Sequence, residues 1–237
     1  MNLLGESKNL NMSYSTKNSG MSVKFEFKSP SPVLEFQILN SILTPDQLAE
    51  LSPPQINSNV VILSGRGPLW LYSYLVHEYH FKRIVATFEP RLNKGIVVIS
   101  VSDNDIGKGI DIESGKLEDV KLGANGKLKL ELLVSEKSNI QIIKVSIEGD
   151  RFIEPSEMKN INYPDVDMTK PIVIFGFMPV WLASRLTAYY VHRCPYFAVY
   201  DPRIGGAIVT ATHSKKKVGE VIEIDIKDFR IKRWNIK

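Results

Sequence analysis

Two groups of residues in this chain have types and spacing suited to chemistry on a phosphodiester. The first is His80, Glu89 and Arg91, matched further along by His192, Asp201 and Arg203. In each case nine positions separate the histidine from the carboxylate, and a proline (Pro90, Pro202) stands between carboxylate and arginine. Attack of a ribose 2′-hydroxyl on the neighbouring phosphorus needs a group that moves a proton, and histidine does this near neutral pH. An arginine neutralises the charge that builds on the phosphorane. The carboxylate orients the histidine or shares a metal ion with it. The same residues also suit a purely structural role, a histidine at a helix end and a carboxylate–arginine ion pair in a turn. The second group is Ser64-Gly65-Arg66-Gly67-Pro68. Glycines let a phosphate approach the backbone, free N–H groups at a helix start favour an anion, and arginine pairs with phosphate through two donors; a tight turn with a surface arginine reads equally well. A third, weaker feature is Thr212-His213-Ser214 followed by Lys215, Lys216 and Lys217.

These groups recur because the chain repeats itself. Val60 to Leu71 aligns with Pro171 to Leu182 at an offset of 111 residues, pairing Gly65 with Gly176, Pro68 with Pro179 and Trp70 with Trp181. From His80 onward the offset is 112, and His80, Pro90, Arg91, Ser102 and Gly107 match His192, Pro202, Arg203, Ser214 and Gly219. Self-similarity at domain length means duplication of a domain, not a solenoid. The copies are expected at residues 22–114 and 126–228, joined by a polar, glycine-bearing linker at 115–125. Residues 1–21, rich in Ser, Asn and Lys, are expected to be a disordered tail, and 229–237 a C-terminal tail.

The elements that position the groups follow from periodicity. Val23, Phe25 and Phe27 alternate with charged residues, as in a half-buried strand, and Val33 to Ile38 is a second strand. Thr44-Pro45-Asp46-Gln47 reads as a helix start with a capping box. Val60 to Leu63 is a continuous apolar run, expected to be a central strand buried on both faces. Pro68 opens a helix in which Trp70, Leu71, Tyr74 and Leu75 share a face. Strands at Ile84 to Phe88 and Ile96 to Val101 flank a turn, and Ile110 and Ile112 mark a last edge strand. The second copy repeats the order, giving a mixed α/β fold twice. Copies of about 100 residues are near the small end for an independent core, so an intramolecular pseudo-dimer is expected.

Composition narrows the class. A hydrophobic share of 43% and a charged share of 24% are those of an ordinary globular protein. The single cysteine, Cys194, excludes an intrachain disulfide, and with no apolar leader at the start a cytoplasmic setting is expected. The apolar run from Pro171 to Ser184 is too short to span a bilayer. A net charge of +4 permits an anionic partner without requiring one.

Ser64 to Leu71, Tyr200-Asp201-Pro202-Arg203-Ile204-Gly205-Gly206-Ala207, and His213-Ser214 followed by Val218 to Ile222 resemble the Csx-three family, also called CRISPR ring nuclease three. The resemblance covers both copies. It implies a relation to the CARF superfamily, hence Rossmann-like domains. It also implies recognition of cyclic tetra-adenylate, Mn²⁺-stimulated cleavage of that ring by a phosphodiesterase, and assembly of domains with the ring held between them; no DNA partner is expected, and further homo-oligomerisation fits. An activity on RNA 3′ ends is associated with the family too. On this resemblance Ser64, Gly65, Arg66, Gly67, His213 and Ser214 contact the ligand, and His80, Glu89, Arg91, His192, Asp201 and Arg203 occupy the catalytic positions; no metal ligands are assigned. The sequence departs from the family pattern at Glu89 (Asp in the family), Phe177 (Arg) and Val101 (His). The losses are complementary, so a composite site between the copies is expected. A sensor or sponge that holds the ring without cutting it, a nuclease of linear RNA tails, and a purely structural CRISPR subunit are the alternatives.

Overall fold

The computed structural model describes residues 11–18, 21–28, 31–39, 42–150 and 152–231. Eight strands form the first sheet in chain order: β1 (Asn11–Asn18), β2 (Met21–Lys28), β3 (Val33–Ile38), β4 (Val60–Gly65), β5 (Ile84–Glu89), β6 (Lys94–Ser100), β7 (Gly109–Asp111) and β8 (Leu117–Glu118). The second sheet is built from β9 (Lys127–Val134), β10 (Gln141–Glu148), β11 (Ile172–Gly176), β12 (Tyr196–Asp201), β13 (Gly206–Thr212), β14 (Val221–Glu223) and β15 (Arg230–Ile231). Its order is β14-β13-β12-β11-β10-β9-β15. In each sheet a parallel trio, β3-β4-β5 or β10-β11-β12, is flanked by antiparallel strands. Each parallel crossover from β4 to β5 and from β11 to β12 carries one α-helix, α1 (Leu69–Glu78) and α2 (Val180–Tyr190). The architecture is therefore mixed α/β and duplicated, but sheet-rich.

The two helices lie side by side and are exchanged between the sheets. α1 packs on β12 and β13 of the second copy, and α2 packs on β5 and β6 of the first. The helix exposes neither Trp70 nor Trp181, each 1% accessible. Burying an indole removes about 150–250 Å² from water, worth about 4–6 kcal/mol at 25 cal/mol/Å². One core cluster accordingly runs from Phe25, Phe36 and Ile62 through both helices to Phe197, Val199 and Ile208. Hydroxyls pin the centre: Ser73 Oγ lies 2.8 Å from Thr210 Oγ1, and Thr187 Oγ1 donates to Ser73 Oγ at 3.0 Å. A polar group at this depth is costly unless bonded, so these contacts fix the register of one copy on the other.

The structure differs from the sequence reading at several places. Asn11–Asn18, assigned to a disordered tail, pairs antiparallel with β2 over its whole length. An edge strand gains its ladder from backbone groups, which a polar composition does not reveal. Residues 1–10 and 19–20 of that tail lie outside the described residues, as do 232–237 of the expected C-terminal tail, of which Arg230–Ile231 pairs with β9. Within the linker, Leu117–Glu118 pairs with β7, so β7 is not an edge. The capping-box segment forms a 3-10 turn over Pro45–Glu50, with Thr44 N donating to Gln47 Oε1 at 3.0 Å. Pro53 and Pro54 follow too soon for an α-helix to develop.

Candidate functional site

Each carboxylate–arginine pair sits where a parallel strand ends. Asp201 closes β12 and Glu89 closes β5. Arg203 donates from Nε to Asp201 Oδ1 at 2.9 Å and from Nη2 to Oδ2 at 2.5 Å, and its backbone N–H reaches Oδ1 at 3.0 Å. The fourth donor comes from the other copy: Trp70 Nε1 reaches Asp201 Oδ2 at 3.2 Å. Glu89 repeats the arrangement with Arg91 Nε at 2.8 Å, Nη2 at 2.9 Å and N at 3.2 Å, and Trp181 Nε1 at 3.3 Å. The extra methylene of Glu89 is thus absorbed without losing a contact. Hydrogen bonds from Arg203 hold the Asp201 carboxyl below its ordinary range against burial. Burial alone would raise Glu89, but Arg91 and the Trp181 N–H outweigh it and hold that carboxyl low as well.

The glycine-rich turn stands beside the Asp201 pair. A groove of about 630 Å³ is lined by Arg66, Gly67 and Pro68 from one copy and Asp201, Arg203 and Ile204 from the other, with Trp70 between. A second, of about 670 Å³, holds Ser64, Gly65 and Arg66. Packing accounts for the glycines: a Cβ on Gly65 would lie 2.4 Å from the Phe36 carbonyl oxygen, and one on Gly67 would lie 2.9 Å from the Phe36 ring. Arg66 is exposed and is the cation of this turn. At the related turn of the second copy, Phe177 is 77% exposed. Arg66 of one copy and Arg203 of the other thus line one groove, whereas His213 and Ser214, expected beside them, do not. A further cavity of about 760 Å³ lies elsewhere, near Lys137, Lys170 and Lys227, and contains none of them.

The histidines are at the opposite end. His80 precedes β5 and Glu89 ends it. Five residue steps of strand separate their levels by about 17 Å. His192 and Asp201 are separated likewise by β12. Neither carboxylate orients a histidine; each orients its arginine. Instead the C-terminal ends of α1 and α2 and the end of β13 converge and bring all four histidines of the chain together. The rings of His80 and His192 are 4.6 Å apart, His77 and His80 stack at 5.3 Å, and His213 lies 5.6 Å from His192. Burial, then the neighbouring histidines, lowers His77 to about 4. Burial, His80 and His213 lower His192 too. His213 and Ser214 follow β13 at this end, remote from the Arg66 groove, and Ser214 closes a turn by accepting from Lys216 N at 3.3 Å.

Sequence reasoning overlooked His77, whose signal was its place three residues before His80 on the last helical turn. It also overlooked the tryptophans as carboxylate donors, although both repeat at the aligned position. For Mn²⁺, which favours oxygen ligands, the donor sets do not fit: both oxygens of Asp201 and of Glu89 are taken by arginine and tryptophan, and the one metal-compatible group found among the described residues is nitrogen-only.

Residues 36–111 and 146–223 match the model of the CRISPR-associated protein family Cas_csx3, once in each copy. An uncharacterized protein of Aquifex aeolicus (strain VF5) is 39% identical over 77 residues, covering 30% of this chain and 68% of that protein. A relative of which so much fits within one such stretch is little longer than one copy. Among the described residues, no helix is long and apolar enough to cross a membrane.

Proposed function

This chain belongs to the Cas_csx3 family of CRISPR-associated proteins, and on that premise we propose that it binds and cleaves cyclic tetra-adenylate. The observation that carries the reading is the pseudo-symmetric face on which Arg66, Arg203 and Arg91 surround carboxylates locked in place by the tryptophans of the opposite copy. A cyclic ring of phosphodiesters with two-fold symmetry meets two related half-sites there. Arg66, with the guanidinium N–H groups of Arg203 and Arg91 that their carboxylates leave over, takes the phosphates, and the apolar wall of Ile38, Ile42, Leu43 and Ile204 suits nucleobases.

Cleavage proceeds when a ribose 2′-oxygen bonds to the adjacent phosphorus and the phosphorus–O5′ bond breaks. The products are a 2′,3′-cyclic phosphate and a free 5′-hydroxyl. One histidine accepts the 2′-hydroxyl proton, a second group returns a proton to the leaving oxygen, and arginine bears the phosphorane charge. His80 or His192 of the same molecule cannot serve a phosphate held by Arg203, because the strand between spans about 17 Å. Two molecules stacked end to end bring the histidine end of one onto the arginine end of the other. Release of the ring as linear product would switch off the signal it carries.

A mixing experiment tests this. The double variants Arg91→Gln/Arg203→Gln and His80→Ala/His192→Ala are each expected to be inactive on labelled cyclic tetra-adenylate, and an equimolar mixture is expected to recover cleavage. Wild-type activity with no recovery on mixing would refute the end-to-end arrangement. Tight binding by the wild type without cleavage under any conditions would make the protein a sensor, a reading that Phe177 in place of the second turn arginine favours.

A further inference from the structure

We propose that Phe177 and Phe152 form a base-stacking subsite in the second half-site, so that the two copies grip a bound cyclic oligonucleotide unequally. Arg66 holds a phosphate in the first half-site, and the two phenyl rings hold a nucleobase in the second. The proposal rests on the reading of this face as the site of a cyclic adenylate, and it specifies which group of the ring goes where. Phe177 follows Gly176 as Arg66 follows Gly65, so it occupies the turn position of that arginine. Pro45–Glu50 and Pro155–Asn160 are the same 3-10 turn in the two copies, which aligns Ile42 with Phe152. The second copy therefore carries phenylalanine at two positions where the first carries a cation and an aliphatic side chain, and both rings are exposed.

A single exposed phenylalanine is ordinary on a protein surface, but these two stand beside groups that would hold the rest of a nucleotide. The Arg91 guanidinium lies over the Phe152 ring, its Cζ 4.7 Å from the centroid, while its edge is bonded to Glu89. Ring and guanidinium together make a flat, cationic surface of the kind on which bases stack. Phe177 lines a groove of about 440 Å³ with Val145, Ser146 and Ile147 of β10. Its turn is fixed by packing: Gly176 has a φ of 138°, and a Cβ there would run into the Val145 carbonyl oxygen. A ring presented from such backbone costs little ordering when a ligand arrives. The groove that holds Arg66 also contains Pro90, between Glu89 and Arg91, and Val180, three residues after Phe177. The phosphate-holding arginine and the aromatic half-site therefore adjoin. Stacking accepts any base, because every base has a π-face, so this subsite reads the presence of a base rather than its identity.

The test uses the full-length protein and two probes: cyclic tetra-adenylate, titrated by calorimetry, and 2-aminopurine riboside 5′-monophosphate, whose fluorescence is quenched when its base stacks. Phe177→Ala and Phe152→Ala should each weaken both by about 5- to 150-fold, the range for losing one base–aromatic stack. Phe177→Trp should keep both affinities. Phe177→Arg should abolish the quenching and make ring binding more salt-dependent, since it exchanges a stack for a phosphate contact. Phe81→Ala, at an equally exposed ring of the histidine end, should change neither probe. Unchanged quenching in Phe177→Ala, or an equal loss in Phe81→Ala, would overturn the subsite even if the ring is bound and cut. Quenching that depends on Phe177 in a protein that does not bind the ring would uphold the subsite and defeat the cyclic-adenylate reading.

Discussion

The hydrogen bond from Trp70 to Asp201 joins the two copies at the arginine end, and its worth is measurable. The donor is 1% exposed and the acceptor residue 5%, with 3.2 Å between Nε1 and Oδ2. A hydrogen bond to a charged group contributes about 1.5–3 kcal/mol. Trp70→Phe removes that donor and also leaves a partial cavity, worth about 1–2 kcal/mol more, so a total loss of about 2.5–5 kcal/mol is expected. Asp201→Ala removes the acceptor and frees Arg203. A double-mutant cycle cancels the cavity and isolates the pair, and a coupling of about 1.5–3 kcal/mol is expected. Urea unfolding reads it: with a slope of about 3 kcal/mol/M the coupling shifts the midpoint by about 0.5–1 M. Trp181→Phe with Glu89→Ala, at 3.3 Å, is the internal replicate. A coupling below about 0.5 kcal/mol, the level of additivity for independent sites, would refute the claim that the tryptophans lock the carboxylates.

Two further outcomes follow from the same end of the molecule. Arg66→Ala should weaken cyclic tetra-adenylate binding by about 10- to 150-fold, the equivalent of about 1.5–3 kcal/mol, in fluorescence titrations; unchanged affinity would remove the turn from the site. Acid should destabilise the protein through Asp201. Because Arg203 depresses its folded value, the unfolded chain binds more protons between that value and the unfolded value near about 3.9, so this contribution is complete above about pH 4 and is lost as pH falls. Asp201→Asn should flatten that part of the stability profile, and an unaltered slope would contradict the assigned ionisation.

The duplication, the central strands and helices, and the local carboxylate–arginine pairs are legible in the amino-acid order alone. Each rests on short-range pattern: Val60 to Leu63 are apolar throughout and form β4, and a carboxylate two residues before an arginine closes its own ion pair. The separation of His80 from Glu89 was also legible, since a six-residue strand lies between them; the matching spacing in both copies drew attention to the triple and away from the strand that divides it. Which residues face each other across the copies depends on the packing of the whole molecule. Trp70 reaches Asp201, 131 positions away, because α1 packs on the other copy's sheet. His77, His80 and His192 meet because the two helices bring their C-terminal ends together, and the segment after β13 adds His213. Periodicity tells which face of a helix is apolar, but a helix apolar on most sides, as α1 is from Trp70 to Val76, carries no local signal of which sheet will cover which side. That choice belongs to the shape of the whole core.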